Sequence, residues 1–112
     1  MTKIVNLTPH AVNIVGGATY EPSGAVARVE ETLTPVGQVE GIPLYEVSYG
    51  KVEGLPQDTS PEVLYIVSAM VRAACPGRTN LASPGAPVRN SAGQVVGCRG
   101  LIVNPQAVSK GF

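Results

Sequence analysis

Arginines in the second half of the chain are the residues whose type and spacing best suit chemistry. Arg78 stands two residues before Asn80, and Arg89 directly precedes Asn90. A guanidinium group binds phosphate through paired, charge-assisted hydrogen bonds, and a carboxamide binds a ribose hydroxyl or a base edge. Arg99 adds another cation, and glycine-rich turns nearby let backbone N–H groups approach an anion. The pattern favours a binding site for a compact anion with one to three phosphates.

The charges of the chain are segregated, although 8 basic residues balance 8 acidic ones. The net charge is +1 before Glu21, −6 from Glu21 to Glu62, and +5 from Val63 onward, where no acid occurs. Any one arginine is most simply a surface charge whose alkyl stem packs on a sheet, so the anion site rests on the acid-free half taken together. The split favours either an anionic ligand or contact with the acidic half of another subunit.

Patterns for catalysis and metal binding are weak in this sequence. His10 is the only histidine, and no acid lies near it in sequence to orient it as a general base. We interpret it as a turn residue whose ring bonds to the backbone. Cys75 and Cys98 carry no local nucleophile signature and no zinc-binding spacing. We predict a protein that is not an enzyme and that uses no metal and no cofactor, with a small hydrolase built on His10 and a cysteine as the last alternative.

Polymeric nucleic acid and membranes are poor partners for this chain. Five basic residues in one half supply little positive charge for a polymer, and the tyrosines are not interleaved with them. The apolar stretches are too short to cross a bilayer, and no signal peptide is visible. Two sparse cysteines are typical of reduced thiols, so we expect a cytoplasmic protein.

The elements that must position these residues are short, because 13 glycines and 10 prolines interrupt the chain. The abundance of valine favours strands over helices. Pro43 cannot donate to a ladder and is expected at an edge or a bulge. In the first half we predict strands at Ile4–Leu7, Ala11–Val15 and Val26–Thr32, and a hairpin formed by Gly37–Val39 and Ile42–Tyr49 around Glu40-Gly41.

The second half carries the helix and the last hairpin. The apolar run Val63–Val67 predicts a central strand, and Ser68 can cap a helix over Ala69–Cys75. Residues Arg78–Pro87 are predicted as an ordered loop, followed by a hairpin that extends to Val103. We therefore predict one α+β domain over residues 1–112, mainly antiparallel sheet with one short helix.

Several short motifs, spread in order over almost the whole chain, carry a resemblance to a known family. They include Asn6-Leu7-Thr8-Pro9-His10, Pro22-Ser23-Gly24, Ala27-Arg28-Val29, Gly41-Ile42-Pro43, Gly54-Leu55-Pro56, Tyr65-Ile66-Val67-Ser68, Pro76-Gly77-Arg78, Asn80-Leu81, Pro87-Val88-Arg89 and Gly97-Cys98-Arg99-Gly100-Leu101. This series resembles small proteins encoded by phages and prophages, the Thoeris anti-defence sponge proteins.

The resemblance implies a protein that sequesters a signal without cleaving it. Members of that family bind cyclic ADP-ribose isomers made by bacterial TIR-domain enzymes, and some also hold cyclic oligonucleotides. They are homo-oligomers with pockets between subunits, so a dimer or hexamer is expected here. Asn80 stands where many relatives have an acid, and Leu81 where an aromatic ring would stack better on adenine. The positions that the resemblance places near pockets are Arg28, Arg78, Asn80, Leu81, Asn90 and Arg99.

A different class of function fits the same composition. Short strands rich in Val, Gly and Pro are equally typical of a phage structural or assembly accessory protein with no small-molecule ligand. In that case the charge split would serve contacts between subunits only.

Overall fold

The computed structural model describes residues 2–108, of which 52% lie in strands and 7% in helix. This confirms a small single α+β domain with antiparallel sheet parts. The strands are β1 (Lys3–Asn6), β2 (Val12–Asn13), β3 (Thr19–Tyr20), β4 (Arg28–Val39), β5 (Ile42–Glu53), β6 (Val63–Ile66), β7 (Leu81–Arg89) and β8 (Val95–Val103), and the helix is α1 (Ala69–Ala74).

A four-stranded sheet with the order β1-β6-β7-β8 forms the centre of the molecule. β6 is parallel to both β1 and β7, whereas β7 and β8 are antiparallel. Every residue of β6 is buried, as a strand covered on both faces requires, which confirms the predicted central strand. The parallel pairs were not expected. The pairing of β6 with β7 is parallel because α1 carries the chain from the end of β6 back to the start of β7.

The short hairpin of β2 and β3 closes this sheet into a ring. The Val15 N–H donates to the Cys98 carbonyl at 2.9 Å beside β8, and the Ser23 N–H donates to the Asn6 carbonyl at 3.0 Å beside β1. β2 and β3 pair antiparallel between these two points. A Cβ at Gly97 would lie 2.6 Å from the Asn13 carbonyl oxygen, so this close approach requires glycine.

Buried side chains pack against both faces of the ring. Because β6 alternates, Ile66 faces the interior and Tyr65 and Val67 face outward, towards α1. The interior group comprises Val12, Ile66 and Cys98, packed by Ile4, Ile14, Tyr20 and Leu101. The outer group comprises Leu7, Ala27, Val63, Tyr65, Val67, Val71 and Leu81, packed by Val5, Val29, Val52, Leu55 and Cys75.

The helix begins where the sequence predicts. The Ser68 hydroxyl oxygen accepts the Val71 N–H at 3.2 Å, which satisfies one of the free donors of the first turn. The helix ends at Ala74, with Cys75 as its C-terminal cap, one residue earlier than predicted. Val71 is its one buried residue and anchors the helix on the outer face of the ring.

Strands β4 and β5 form a long two-stranded ribbon, residues 28–53, which we call the arm. The predicted hairpin around Glu40-Gly41 is confirmed, with both turn residues at positive φ. The separate strands predicted at Val26–Thr32 and Gly37–Val39 join into one strand of 12 residues. The radius of gyration of 16.4 Å exceeds the roughly 13 Å of a compact chain of this length, because the arm protrudes.

The predicted loop at Arg78–Pro87 is wrong, since β7 begins at Leu81. The prolines that suggested a loop do not disturb this strand. β6 pairs only with Leu81 and Ala82, whereas Pro84 and Pro87 pair with β8 alone. Their missing N–H groups therefore interrupt no ladder on the β6 side.

Candidate ligand-binding residues

Arg78 and Asn80 together hold the segment that follows the arm. The Arg78 guanidinium donates to the Asp58 carbonyl at 3.0 Å and to Asn80 Oδ1 at 3.3 Å. Asn80 Nδ2 donates to the same Asp58 carbonyl at 2.7 Å. These bonds tie residues 54–61 to the start of β7. Because a guanidinium has five N–H donors, Arg78 keeps three for another acceptor.

The carboxyl group of Asp58 lies within this cluster. The Ser60 N–H donates to Asp58 Oδ1 at 2.9 Å, and this bond, with a further one from the Ser60 side chain, lowers the pKa of Asp58 from its usual 3.8. The positive charge of Arg78 lowers it further. Asp58 is therefore ionised at neutral pH and partly offsets the charge of the nearest predicted ligand-binding arginine.

Two of the predicted residues are fully buried. Leu81 packs in the outer core, and the Asn80 side chain is enclosed with both its amide groups bonded. The Asn80 carbonyl also accepts the Tyr65 N–H at 2.9 Å. Within a single chain neither residue offers surface to a ligand, and both support the sheet from which β7 starts.

Arg89 and Asn90 stabilise the last hairpin. The Arg89 guanidinium donates to the Gly93 carbonyl at 2.8 Å. Asn90 Oδ1 accepts the N–H groups of Ala92 and Gln94 at 2.9 and 3.1 Å, an arrangement typical of a turn-forming asparagine. Both side chains remain exposed.

Arg28 and Arg99 differ from the other predicted arginines. Both are exposed, at the start of β4 and in the middle of β8. Within residues 2–108 neither guanidinium makes a hydrogen bond or an ion pair. Among the described residues, neither side chain has a partner that it would lose on binding an anion.

The predicted residues lie outside two cavities of the protein. A groove of about 330 Å³ lies between β2, β7 and β8, and a shallow depression lies beside the C-terminal end of β8. None of the seven predicted residues lines either one. The groove walls are mainly apolar, formed by Ala11, Val12, Asn13, Pro84, Gly85, Pro87, Val95, Val96, Gly97 and Cys98.

A buried polar cluster under α1 was missed in the sequence. Arg72 donates from Nε to the Ser83 hydroxyl at 2.9 Å and from a terminal nitrogen to Asn104 Oδ1 at 3.2 Å. Asn104 Nδ2 donates to the carbonyls of Arg72, Cys75 and Arg78 at 3.3, 2.9 and 2.9 Å. Asn104 thus adds a second donor to the Arg72 and Cys75 carbonyls, which already accept the N–H groups of Cys75 and Arg78, and a donor to the Arg78 carbonyl. The only sequence signal for it is its place between a strand and Pro105.

The Asn6–His10 motif also has a structural role. Asn6 is buried and uses all its bonding capacity: Nδ2 donates to the carbonyls of His10 and Tyr20, and Oδ1 accepts the N–H and hydroxyl of Thr8. These bonds fix the turn after β1 against β3. His10 is exposed, and its contribution is the backbone carbonyl, so the expected bond from its ring to the backbone is not found among the described residues.

The cysteines are separate from this turn. Cys98 is buried in the interior of the ring, Cys75 is half-buried at the end of α1, and both are free thiols. Neither bonds to His10 in the described part of the chain. Among residues 2–108 no three His, Cys, Asp or Glu side chains are grouped so that they could hold a metal ion.

Comparisons with known protein families, with curated proteins and with solved structures returned no match. Across the described residues, no helix has the length and apolar character needed to cross a membrane.

Proposed function

We propose that this protein binds a nucleotide-derived immune second messenger and sequesters it without cleaving it, as a phage anti-defence sponge. The ligand class is a cyclic ADP-ribose isomer or a cyclic oligonucleotide, captured in the host cytoplasm. The observation that carries the proposal is the pair of guanidinium groups of Arg28 and Arg99, which are exposed and make no hydrogen bond or ion pair within residues 2–108. The motif series from Asn6 to Leu101, which resembles the sponge family, supplies the ligand class.

The chemistry proposed for the arginines is direct. Each free guanidinium offers two parallel N–H donors that match two phosphate oxygens. Arg78 contributes through the donors that Asp58 and Asn80 leave unused. Arg89 and Asn90 sit at an exposed turn and can approach a ligand without unfolding the hairpin. Phosphate neutralisation then dominates affinity, and added salt weakens binding.

The site in this proposal is shared between copies of the chain. Arg28 lies at the base of the arm and Arg99 on β8, and the groove of one chain contains neither. A chain this small has little room for a deep pocket of its own. Two copies together can enclose a ligand that one copy meets only at its surface.

The proposal that the ligand is not cleaved rests on the groups near the arginines. Asp58, the carboxylate beside Arg78, has a lowered pKa and remains an anion at neutral pH, which makes it a poor general acid. The Cys98 thiol is buried and packs with Val12 and Ile66, and none of the arginines proposed to bind the ligand lines the groove beside it.

The test is calorimetric titration of three variants with cyclic ADP-ribose isomers and cyclic di- and trinucleotides. Arg28→Ala and Arg99→Ala are each expected to weaken binding of the bound compound at least tenfold, since each removes a charged phosphate contact. Lys51→Ala is the matched control, because it removes one exposed positive charge from the acidic arm. Full affinity in both arginine variants would refute the assignment of the site.

A second candidate function is favoured by the arm. A protruding ribbon with many exposed apolar side chains also fits a phage structural or assembly accessory protein. That function predicts the protein in purified virions and no response to any of the nucleotides.

A further inference from the structure

Near its middle the arm has one mainly apolar face and one mainly polar face, whereas Ile42 and Leu44, nearer the tip, add exposed apolar side chains to the polar side. Residues directly opposite each other in an antiparallel ribbon share a face, so the pairs Leu33/Val47 and Pro35/Tyr45 lie on one side. The intervening pairs Thr32/Ser48 and Thr34/Glu46 lie on the other side. Tyr49, opposite Glu31, extends the apolar face towards the body.

The apolar face is largely uncovered in a single chain. Leu33 is 59% exposed, Tyr45 54%, Val47 43% and Tyr49 50%. Only the base of the arm packs on the protein's own core, through Val29 and Val52. A two-stranded ribbon on its own is marginally stable in water, and an apolar face of this length marks an interaction surface.

Charge favours the acid-free body of another copy as the surface that covers this face. The arm carries five glutamates against Arg28 and Lys51, a net charge of −3. The body from Val63 to Val108 carries four arginines and no acid, a net charge of +4. Pairing two arms would place ten glutamates together, whereas placing the arm of one copy on the body of another joins opposite charges.

A matching apolar surface lies on the acid-free body. The groove between β2, β7 and β8 has Val95 and Val96 on its rim, 57% and 45% exposed. Arg89 and Arg99 lie on the same two strands that form this groove. The wall that an arm would contact is formed by Pro84, Gly85, Pro87, Val95, Val96 and Gly97.

We propose that the apolar face of the arm binds the β7–β8 groove of a second copy of this chain. The aromatic rings of Tyr45 and Tyr49 cover the Pro- and Val-lined groove, and the arm glutamates approach Arg89 and Arg99. When each of two copies places its arm in the groove of the other, a symmetric dimer forms. This is the simplest arrangement in which no arm remains unpaired. This assembly needs no ligand, but it engages Arg89 and Arg99, which the proposed function also assigns to the ligand, so the arm would compete with the ligand for these two side chains.

The first test compares two neighbouring substitutions on opposite faces of β4. Light scattering after size-exclusion chromatography is expected to give wild-type protein at least twice the 11.5 kDa mass of one chain. Leu33→Glu, on the apolar face, is expected to reduce the mass to that of one chain. Thr32→Glu adds the same charge on the polar face and is expected to keep the wild-type mass.

Thermal unfolding of both variants checks that the body remains folded, as the exposure of both positions predicts. Wild-type protein that is monomeric at 100 µM, or equal dissociation by both substitutions, would overturn the proposal.

Cross-linking locates the contact. A photoreactive benzoylphenylalanine in place of Val47 is expected to link to residues 84–97 of another copy, with isotope-labelled and unlabelled chains mixed so that links between copies are recognised. Links confined to residues 28–53 of the other copy would show arm-to-arm pairing and contradict the proposal. Links within one copy would do the same.

Discussion

Three buried asparagine side chains, those of Asn6, Asn80 and Asn104, join separate segments of the fold through hydrogen bonds. Asn6 fixes the turn after β1, Asn80 ties residue 58 to β7, and Asn104 covers the end of α1. Each is buried with its donors and acceptors bonded, as buried polar groups require. An asparagine that the sequence suggests as a nucleotide-binding residue can therefore stabilise the fold instead, through buried hydrogen bonds. Only the surroundings of the side chain distinguish these two roles.

The contribution of Asn104 can be measured by substitution. Asn104→Ala removes the donor shared by three carbonyl groups, and we expect it to lower the free energy of unfolding by about 1–3 kcal/mol. Asn104→Asp keeps the shape but not the amide donor, so it should also destabilise the protein in urea unfolding experiments. Wild-type stability of Asn104→Asp would show that the donated bonds contribute nothing.

At the scale of the elements, the sequence predicts local structure well where one residue type sets the geometry. Ser68 gives the start of α1, Glu40-Gly41 gives the turn of the arm, and the apolar run from Val63 gives the central strand. The prolines of β7 wrongly suggest a loop, because a proline disrupts a strand only where a neighbouring strand needs its N–H group. Which strand lies beside each proline depends on the order of the strands in the sheet. Closure of the ring likewise cannot be predicted from the sequence, because it depends on backbone pairing between residues distant in sequence, such as Ile14 and Cys98.

The closing contact is testable at Gly97. Gly97→Ala places a methyl group against the Asn13 carbonyl oxygen and the Val15 side chain, and we expect a loss of about 1–3 kcal/mol in the free energy of unfolding. Gly100→Ala, three residues along the same strand, meets no atom within 4 Å and serves as the control. Equal stability of the two variants in urea would mean that the ring does not close at this point.

At the scale of the whole molecule, the segregation of charge read in the sequence becomes a spatial arrangement. Most of the acidic segment is the arm, and the acid-free half is the sheet and its helix. The predicted ligand residues divide between these parts: Arg28 is at the base of the arm, and Arg99 is on the body. The sequence predicts the candidate residues, but it could not show that they divide between the arm and the body, since that depends on how the arm projects.

The central claim, capture of a nucleotide signal without cleavage, is tested most directly by titration followed by recovery. Wild-type protein is titrated calorimetrically with cyclic ADP-ribose isomers and cyclic oligonucleotides, then heated, and the released compound is analysed by chromatography. Our account predicts saturable binding of at least one compound and its quantitative recovery unchanged. Conversion of the bound compound to a product, or no binding of any compound by folded protein, would contradict it.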